Sequence, residues 1–399
     1  MTIYRKAGPP TSAAASSARW IALDALRGLT IAAMILVNNP GRWGADYQYE
    51  QLRHRDWHGC TFTDFVFPSF VFCAGAAIVP AFARRLSLGT SRAALSVQVL
   101  RRGVYLFLIG LLLHSFPWLT FAKDRALLAP VLDVRVFGVL QRIALCYTAA
   151  ALLHIWCRVS VVRAVLVGTL LGYWALLAWV AAPGVDLPDM DVPKRTLQGF
   201  LDQLLIGRHM YQKGALGYDP EGILSTLPAI GTCLLGLEAG RWLSGPQSEL
   251  AKARLLVVAG VLVAALGLCW SAWLPLNKPI WTSSYVLWTG GLSAVLLGVM
   301  HEVFAVRCWQ RLAHPLQVYG VNALLVFCAS AILGRLVATF ITWTASNGKA
   351  ISLKEWLFQQ AFASWAPPKV ASLLFALAWC AGFYAVLAQL YRRQIIWKV

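Results

Sequence analysis

Charge is what this sequence has least of. Only 13% of its 399 residues are Asp, Glu, Lys or Arg, 59% are hydrophobic, and the mean hydropathy is +0.62. That balance excludes an ordinary soluble domain, in which roughly a quarter of residues are charged, and leaves a polytopic membrane protein. Acids are scarcer than bases, 17 against 35, for a net charge of +18. In a soluble chain such an excess points to nucleic acid. Here most Lys and Arg fall in short loops on alternate sides of apolar spans, the positive-inside pattern, so no nucleic-acid partner is implied. The nine Cys show no CxxC or other metal-ligand spacing and, apart from Cys60, lie mainly within spans. Neither a disulfide framework nor a metal site is expected from them. Also missing are a repeat of roughly 20 to 50 residues and the apolar run with cleavage site of a removable signal peptide.

What the chain does have is long apolar windows. A helix needs roughly 20 such residues to cross the hydrocarbon core, and windows occur at 19–38, 61–83, 99–117, 136–157, 161–182, 222–242, 254–273, 281–302, 315–340 and 368–391. The expectation is an all-α helical bundle of about ten transmembrane helices, with residues 1–18 a cytoplasmic tail and 19–399 a single transmembrane domain. Placing the N-terminus inside also puts Arg84, Arg85, Arg92, Arg158, Arg163, Arg392 and Arg393 inside, so both termini are expected on the cytoplasmic side. The outer loops are then 39–60, 118–135, 183–221, 274–280 and 341–367. Within the last, 351–365 has helical apolar spacing and reads as an interfacial amphipathic helix or as a partly buried connecting helix.

Ionisable residues in membrane segments are costly, and each is a candidate for function. Asp24 and Arg27 share one face of the first helix and can pair. Asn38 ends that helix, the following loop carries His54, Asp56 and His58, and Asp64 opens the second span. Arg101 and Arg102 belong to a basic cluster that either sets topology or holds phosphate. Arg142 lies too deep in the fourth span for snorkelling, so it requires a partner; by depth Asp64 ranks first and Asp133 second. Asp219, Pro220, Glu221 and Gly222 read as an N-cap, an N1 proline and a dipole-favoured acid at the start of the sixth helix, or as groups facing a substrate mouth. Lys278, in a very short outer connection with Asn277, either snorkels or meets a ligand. Asn322 lies inside the ninth span, where an unsatisfied amide is expensive and a partner or ligand is implied.

His54 is the sharpest of these. Its imidazole titrates near neutrality and can take a proton from an attacking amine or hydroxyl, or itself attack a thioester. Asn38 can donate to a developing oxyanion, and Asp56 and Asp64 can orient the ring. His58 is a rival base that spacing does not exclude.

The segments LDALRGLTIAAMILVNNPG (23–41), HRDWHGCTFTDFVFPSFVF (54–72), GVLQRIALCY (138–147), DPEGILSTLPAI (219–230), PLNKPIWTSSYV (275–286) and YGVNALLVF (319–327) resemble the heparan-alpha-glucosaminide N-acetyltransferase family of transmembrane acyltransferases, with its bacterial homologues. The resemblance implies acetyl transfer from cytosolic acetyl-CoA to an amino sugar or glycan on the far side of the inner (plasma) membrane, by a homodimer. His54 matches the family's catalytic His in an H-x-x-W-x-G-x-T-x-x-D pattern, and Asn38 its active-site Asn. On this reading His54, Asn38 and Asp64 are catalytic. Arg27, Arg101, Arg102, Arg142, Lys278 and Asn322 face the coenzyme A donor, and Asp56, His58, Asp219 and Glu221 face the acceptor. Lysosomal members carry a lumenal domain ahead of the first shared helix, so the acceptor is not expected to be confined to heparan sulfate. Two other readings stand beside it: O-acetylation of an envelope glycan by the same machinery, and a transporter of N-acetylglucosamine or related sugars. Against the latter, no paired inverted repeats with interrupted helices are visible.

Overall fold

The computed structural model of the chain describes residues 2–5, 20–119, 127–345 and 348–398. Most of the expected tail and part of the 118–135 loop lie outside the described residues. The apolar windows form helices. These are α1 (Ile21–Asn38), α2 (Phe62–Ala76), α3 (Ile78–Ser87), α4 (Arg92–Ser115), α5 (Val139–Trp156) and α6 (Val159–Trp179). There follow α7 (Leu197–Leu205), α8 (Thr226–Leu243), α9 (Glu249–Trp270), α10 (Ser283–His301), α11 (Gln310–Val321), α12 (Ala323–Arg335), α13 (Leu353–Phe358) and α14 (Pro368–Arg392). Side chains fix several starts: Ser91, Thr196, Ser248 and Ser352 each accept a backbone N–H from the first turn of α4, α7, α9 and α13.

Among the described residues, nine helical spans are long and apolar enough to cross a membrane. The expected span at 222–242, which is not among the nine, corresponds to α8, which carries Glu238 and Arg241 yet is the most thoroughly buried helix of its unit. An all-α polytopic bundle is therefore the architecture. Two windows differ from expectation in detail. The second is divided into α2 and α3 at Ala77, and the ninth is interrupted at Asn322, between α11 and α12. The segment 351–365 forms only the six residues of α13 followed by a π turn, Gln359–Ala363.

The chain divides into two compact units, one formed by residues 1–55, 61–67 and 303–399, the other by 56–60 and 68–302. In the first, α1 packs on α11 at backbone distance. A Cβ on Gly28 would stand 1.8 Å from the Leu316 carbonyl oxygen, and one on Gly320 would stand 2.1 Å from that of Asp24. Small residues allow this approach in membrane helices, where van der Waals contact between backbones replaces the hydrophobic drive. Phe358, Ala366, Ala371 and Phe375 form an aromatic-rich core where α13 meets α14. Two short antiparallel pairings complete the unit: β1 (Thr2–Arg5) with β4 (Ile395–Lys398), which brings the chain ends together, and the hairpin of β2 (Thr342–Thr344) with β3 (Ala350–Ser352).

In the second unit α8 is the hub. Gly236 abuts the Phe72 carbonyl of α2, where a Cβ would stand 2.0 Å from the oxygen. α9 and α10 form a tightly packed pair joined by the turn 271–282. Beneath that turn Tyr173, Leu177, Leu274 and Ile280 form a core with Trp57, Met190 and Leu224 packed against it.

Candidate active site

In the first unit the loop after α1 returns to the start of α2, and there His54 and Asp64 meet. His54 Nδ1 lies 2.6 Å from Asp64 Oδ1; the imidazole is 51% exposed and the carboxylate 2%. The other carboxylate oxygen accepts the backbone N–H groups of Arg55 at 3.1 Å and Thr61 at 3.2 Å. Thr61 and Asp64 form a reciprocal cap on α2: the Asp64 N–H points to Thr61 Oγ1 at 3.4 Å while the Thr61 N–H bonds the Asp64 side chain. A carboxylate so held is an acceptor, so His54 donates from Nδ1 and its basic lone pair is on Nε2, as in hydrolase triads. Asn38 is the exposed last residue of α1, whereas its neighbour Asn39 is buried and donates to the Ile35 carbonyl at 2.8 Å. Asp56 is exposed.

Of the other candidates in this unit, Arg27 pairs with Asp24 at 2.8 Å, as expected, and its Nε donates to the Gly320 carbonyl at 2.7 Å. Asn322 does not present its amide to a ligand. It donates to the Ile395 carbonyl at 3.0 Å and accepts from the Trp397 N–H at 2.9 Å, so both halves of the amide serve the C-terminal strand.

In the second unit His58 is bonded at both nitrogens. Asn277 Nδ2 lies 3.2 Å from Nδ1, and Nε2 lies 2.9 Å from an Asp191 oxygen. Asn277 has its orientation set by the Ile280 N–H, which its Oδ1 accepts at 3.0 Å. Lys278, in the same turn, is half-buried.

Arg142 is wholly buried, but neither Asp64 nor Asp133 is its partner. It donates to Ser225 Oγ at 2.5 Å and to the Gly222 carbonyl at 3.1 Å, and its guanidinium lies over the Trp281 ring, 4.9 Å from the centroid. Asp133 instead pairs with Lys213 at 3.1 Å. Arg101 and Arg102 are exposed on α4, the latter over the Tyr147 ring.

Asp219 is not the N-cap of the following helix, because α8 begins only at Thr226. The stretch 219–222 closes a turn, Gly222 N–H to Asp219 carbonyl at 2.9 Å. Arg135 bonds the carboxylates of both Asp219 and Glu221. Burial opposes the Arg135 charge, but the two acids outweigh it and raise its pKa. Burial likewise opposes the Glu221 charge, yet Arg135, Arg142 and Lys278 hold the carboxyl below its usual range. Asp202 of α7 accepts the N–H groups of Asp219 and Ile223 at 3.1 and 3.0 Å. Burial pushes its carboxyl up to about 6 against those bonds. Gly222 has to be glycine, since a Cβ would stand 2.1 Å from Asp202 Oδ2.

Sequence reasoning missed Arg135, Asp202 and the cap role of Thr61. Thr61 had a visible signal, the T-x-x-D spacing ahead of an apolar run. Arg135 had a weaker one, a base in an outer segment.

The family model described as heparan-alpha-glucosaminide N-acetyltransferase, catalytic, matches residues 19–267. A mouse protein, heparan-alpha-glucosaminide N-acetyltransferase, is 26% identical over 98% of this chain and 62% of its own length. The human protein of the same name is 26% identical over 94% of this chain and 59% of its own length. The chain thus spans about three fifths of the length of the curated relatives it matches. With the matched segment covering α1 to most of α9, the chain belongs to the heparan-alpha-glucosaminide N-acetyltransferase catalytic family.

Proposed function

We propose that this chain is a transmembrane acetyltransferase that moves an acetyl group from cytosolic acetyl-CoA to the amine of a glucosamine-type sugar on the extracytoplasmic side of the inner membrane. The observation that carries this reading is the 2.6 Å bond between His54 Nδ1 and the buried Asp64, on an imidazole that is half-exposed. Acyl transfer to an amine needs a base for one proton, held in the right tautomer. The amine nitrogen attacks the thioester carbonyl carbon, the C–N bond forms and the C–S bond breaks. His54 Nε2 takes the proton from nitrogen and returns it to sulfur, which leaves as the coenzyme A thiol. Asn38, exposed at the end of α1, is the candidate donor to the oxyanion. Arg101 and Arg102, exposed on α4, suit the donor's phosphates better than Arg27, which is already paired with Asp24. Among the acidic candidates for the acceptor Asp56 is exposed, whereas Asp219 and Glu221 are both buried and both bonded by Arg135. The resemblance extends the proposal to a homodimer.

Purified protein incubated with radiolabelled acetyl-CoA and glucosamine tests it. Formation of labelled N-acetylglucosamine, lost in His54→Ala, is the expected result. Uptake of labelled N-acetylglucosamine into proteoliposomes without acetyl-CoA, and no transfer, would replace this reading with transport.

A further inference from the structure

The cap on α2 has more bonds than a helix start needs. In an ordinary capping box the hydroxyl residue and the acid three positions on satisfy each other's backbone N–H groups, and the acid's remaining lone pairs face water. Here Asp64 is 1% exposed and its second oxygen is given to His54. Thr61 is 3% exposed. Its hydroxyl lies 2.7 Å from the Arg53 carbonyl oxygen, one residue before His54, and 3.0 Å from Asp64 Oδ2. The chain on the other side of His54 is held as well, by the Arg55 N–H on Asp64 Oδ2 at 3.1 Å. Gln51 adds a third tie, its Oε1 accepting the Phe62 N–H at 3.1 Å and its carbonyl accepting Thr63 Oγ1 at 3.2 Å. The backbone on both sides of the histidine is therefore fastened to the same helix turn that carries its carboxylate.

We infer that Thr61 is the positioning residue of the His54–Asp64 pair: the cap of α2 serves as the jig that sets the imidazole, with the Thr61 hydroxyl joining the strand ahead of His54 to the backbone of the residue whose carboxylate orients it. This rests on the proposed role of His54 as base. Thr61 touches no reacting atom and acts through Arg53 and Asp64. The hydroxyl has one proton and two acceptor sites, so it donates to the Arg53 carbonyl while accepting the Asp64 N–H. Valine has the same shape and neither capacity. With it, the Arg53 carbonyl and the Asp64 N–H lose their side-chain partner, and both flanks of the pair loosen together. Serine keeps the hydroxyl and both bonds.

The test compares Thr61→Val, Thr61→Ser, His54→Ala and the double variant His54→Ala/Thr61→Val in acetyl transfer from acetyl-CoA to glucosamine. Thr61→Val is expected to lower kcat roughly tenfold to a hundredfold, the range for a lost hydrogen bond in a charged network, with KM for acetyl-CoA and for glucosamine unchanged. Thr61→Ser should restore kcat to within about threefold of the parent. In the His54→Ala background the valine should cost nothing further, because two residues acting through one group are not additive. A Thr61→Val loss that persists in the His54→Ala background, raises both KM values, or is not rescued by serine would make Thr61 merely structural and overturn the inference. So would an unchanged kcat in Thr61→Val. If His54→Ala itself keeps full transfer, the assignment of the base has failed, a result separate from the others.

Discussion

Asn277 donates its side-chain amide to Nδ1 of His58 across 3.2 Å. That bond takes the lone pair a base would need. The proton must then sit on Nε2, where it is donated to Asp191 at 2.9 Å. In His54 the nitrogen that faces a carboxylate is instead Nδ1, 2.6 Å from an oxygen of buried Asp64. Four residues apart in sequence, the two histidines turn opposite ring nitrogens to their carboxylates.

Replacing each by alanine should therefore give unlike results. His54→Ala is expected to lose roughly 10²- to 10⁴-fold in kcat, the worth of a positioned general base. His58→Ala should keep kcat within a few-fold and lower the melting midpoint instead, since it removes a tie between residues 56–60 and the turn 271–282. Steady-state acetyl transfer and thermal unfolding in detergent measure both. Equal losses of kcat would contradict the assignment.

Arg135 should be a stability residue. It is the shared partner of Asp219 and Glu221, both buried. Removing one member of a buried pair leaves uncompensated charge and costs about 3–5 kcal/mol. Arg135→Met is expected to lower the unfolding midpoint strongly, whereas Arg135→Lys, which keeps the charge but not the fork geometry, should recover part of it. A midpoint unchanged by Arg135→Met would show that the two acids find other partners.

The same turn predicts a stability maximum on the acid side of neutrality. The Asp202 carboxyl is raised from 3.8 to about 6 by burial. Its charge therefore weakens the fold above that pH, and stability rises as pH falls from 6 toward 3.8. Glu221 is shifted the other way, below its ordinary value of 4.5, despite burial, by Arg135, Arg142 and Lys278. Its contribution is present above 4.5 and lost as pH falls through the lower folded value. Unfolding midpoints should rise as pH falls from about 6 to about 4.5, and the Glu221 loss should oppose that rise below about 4.5. Asp202→Asn should flatten the rise and leave the Glu221 loss in place.

Much of this was legible in the sequence, because membrane helices announce themselves. Apolar windows located the spans from Ile21–Asn38 to Pro368–Arg392 with ends that differ by up to eight residues. The Asp24–Arg27 pair followed from helical spacing alone. Less visible was anything depending on distant partners. Depth suggested Asp64 for Arg142, but depth says nothing of direction, and Arg142 is held instead by Gly222, Ser225 and the Trp281 face. Asp219 and Pro220 carry the signature of a helix start. The turn they make is ended by Gly222 against Asp202, and the helix waits until Thr226. The choice between His54 and His58 rests on a motif in the sequence, which says nothing of the partners of either ring.

Asn322 gives the contrast between a residue that looks like a ligand group and one that is a latch. Its amide sits at the break between α11 and α12, 1% exposed, and is bonded by both ends to the backbone of β4. That strand pairs in turn with β1, so the amide anchors the sheet that joins the chain ends. Asn322→Ala removes the partner of a half-buried carbonyl and of a half-buried N–H, each worth up to about 1–3 kcal/mol when left unsatisfied. The expected result is a lower unfolding midpoint and earlier proteolytic release of residues 395–398, with KM for acetyl-CoA unchanged. Asn322→Asp should be no better, since a carboxylate accepts from Trp397 but meets the Ile395 carbonyl oxygen as a second acceptor. A raised KM for acetyl-CoA with an unaltered midpoint would instead return Asn322 to the ligand.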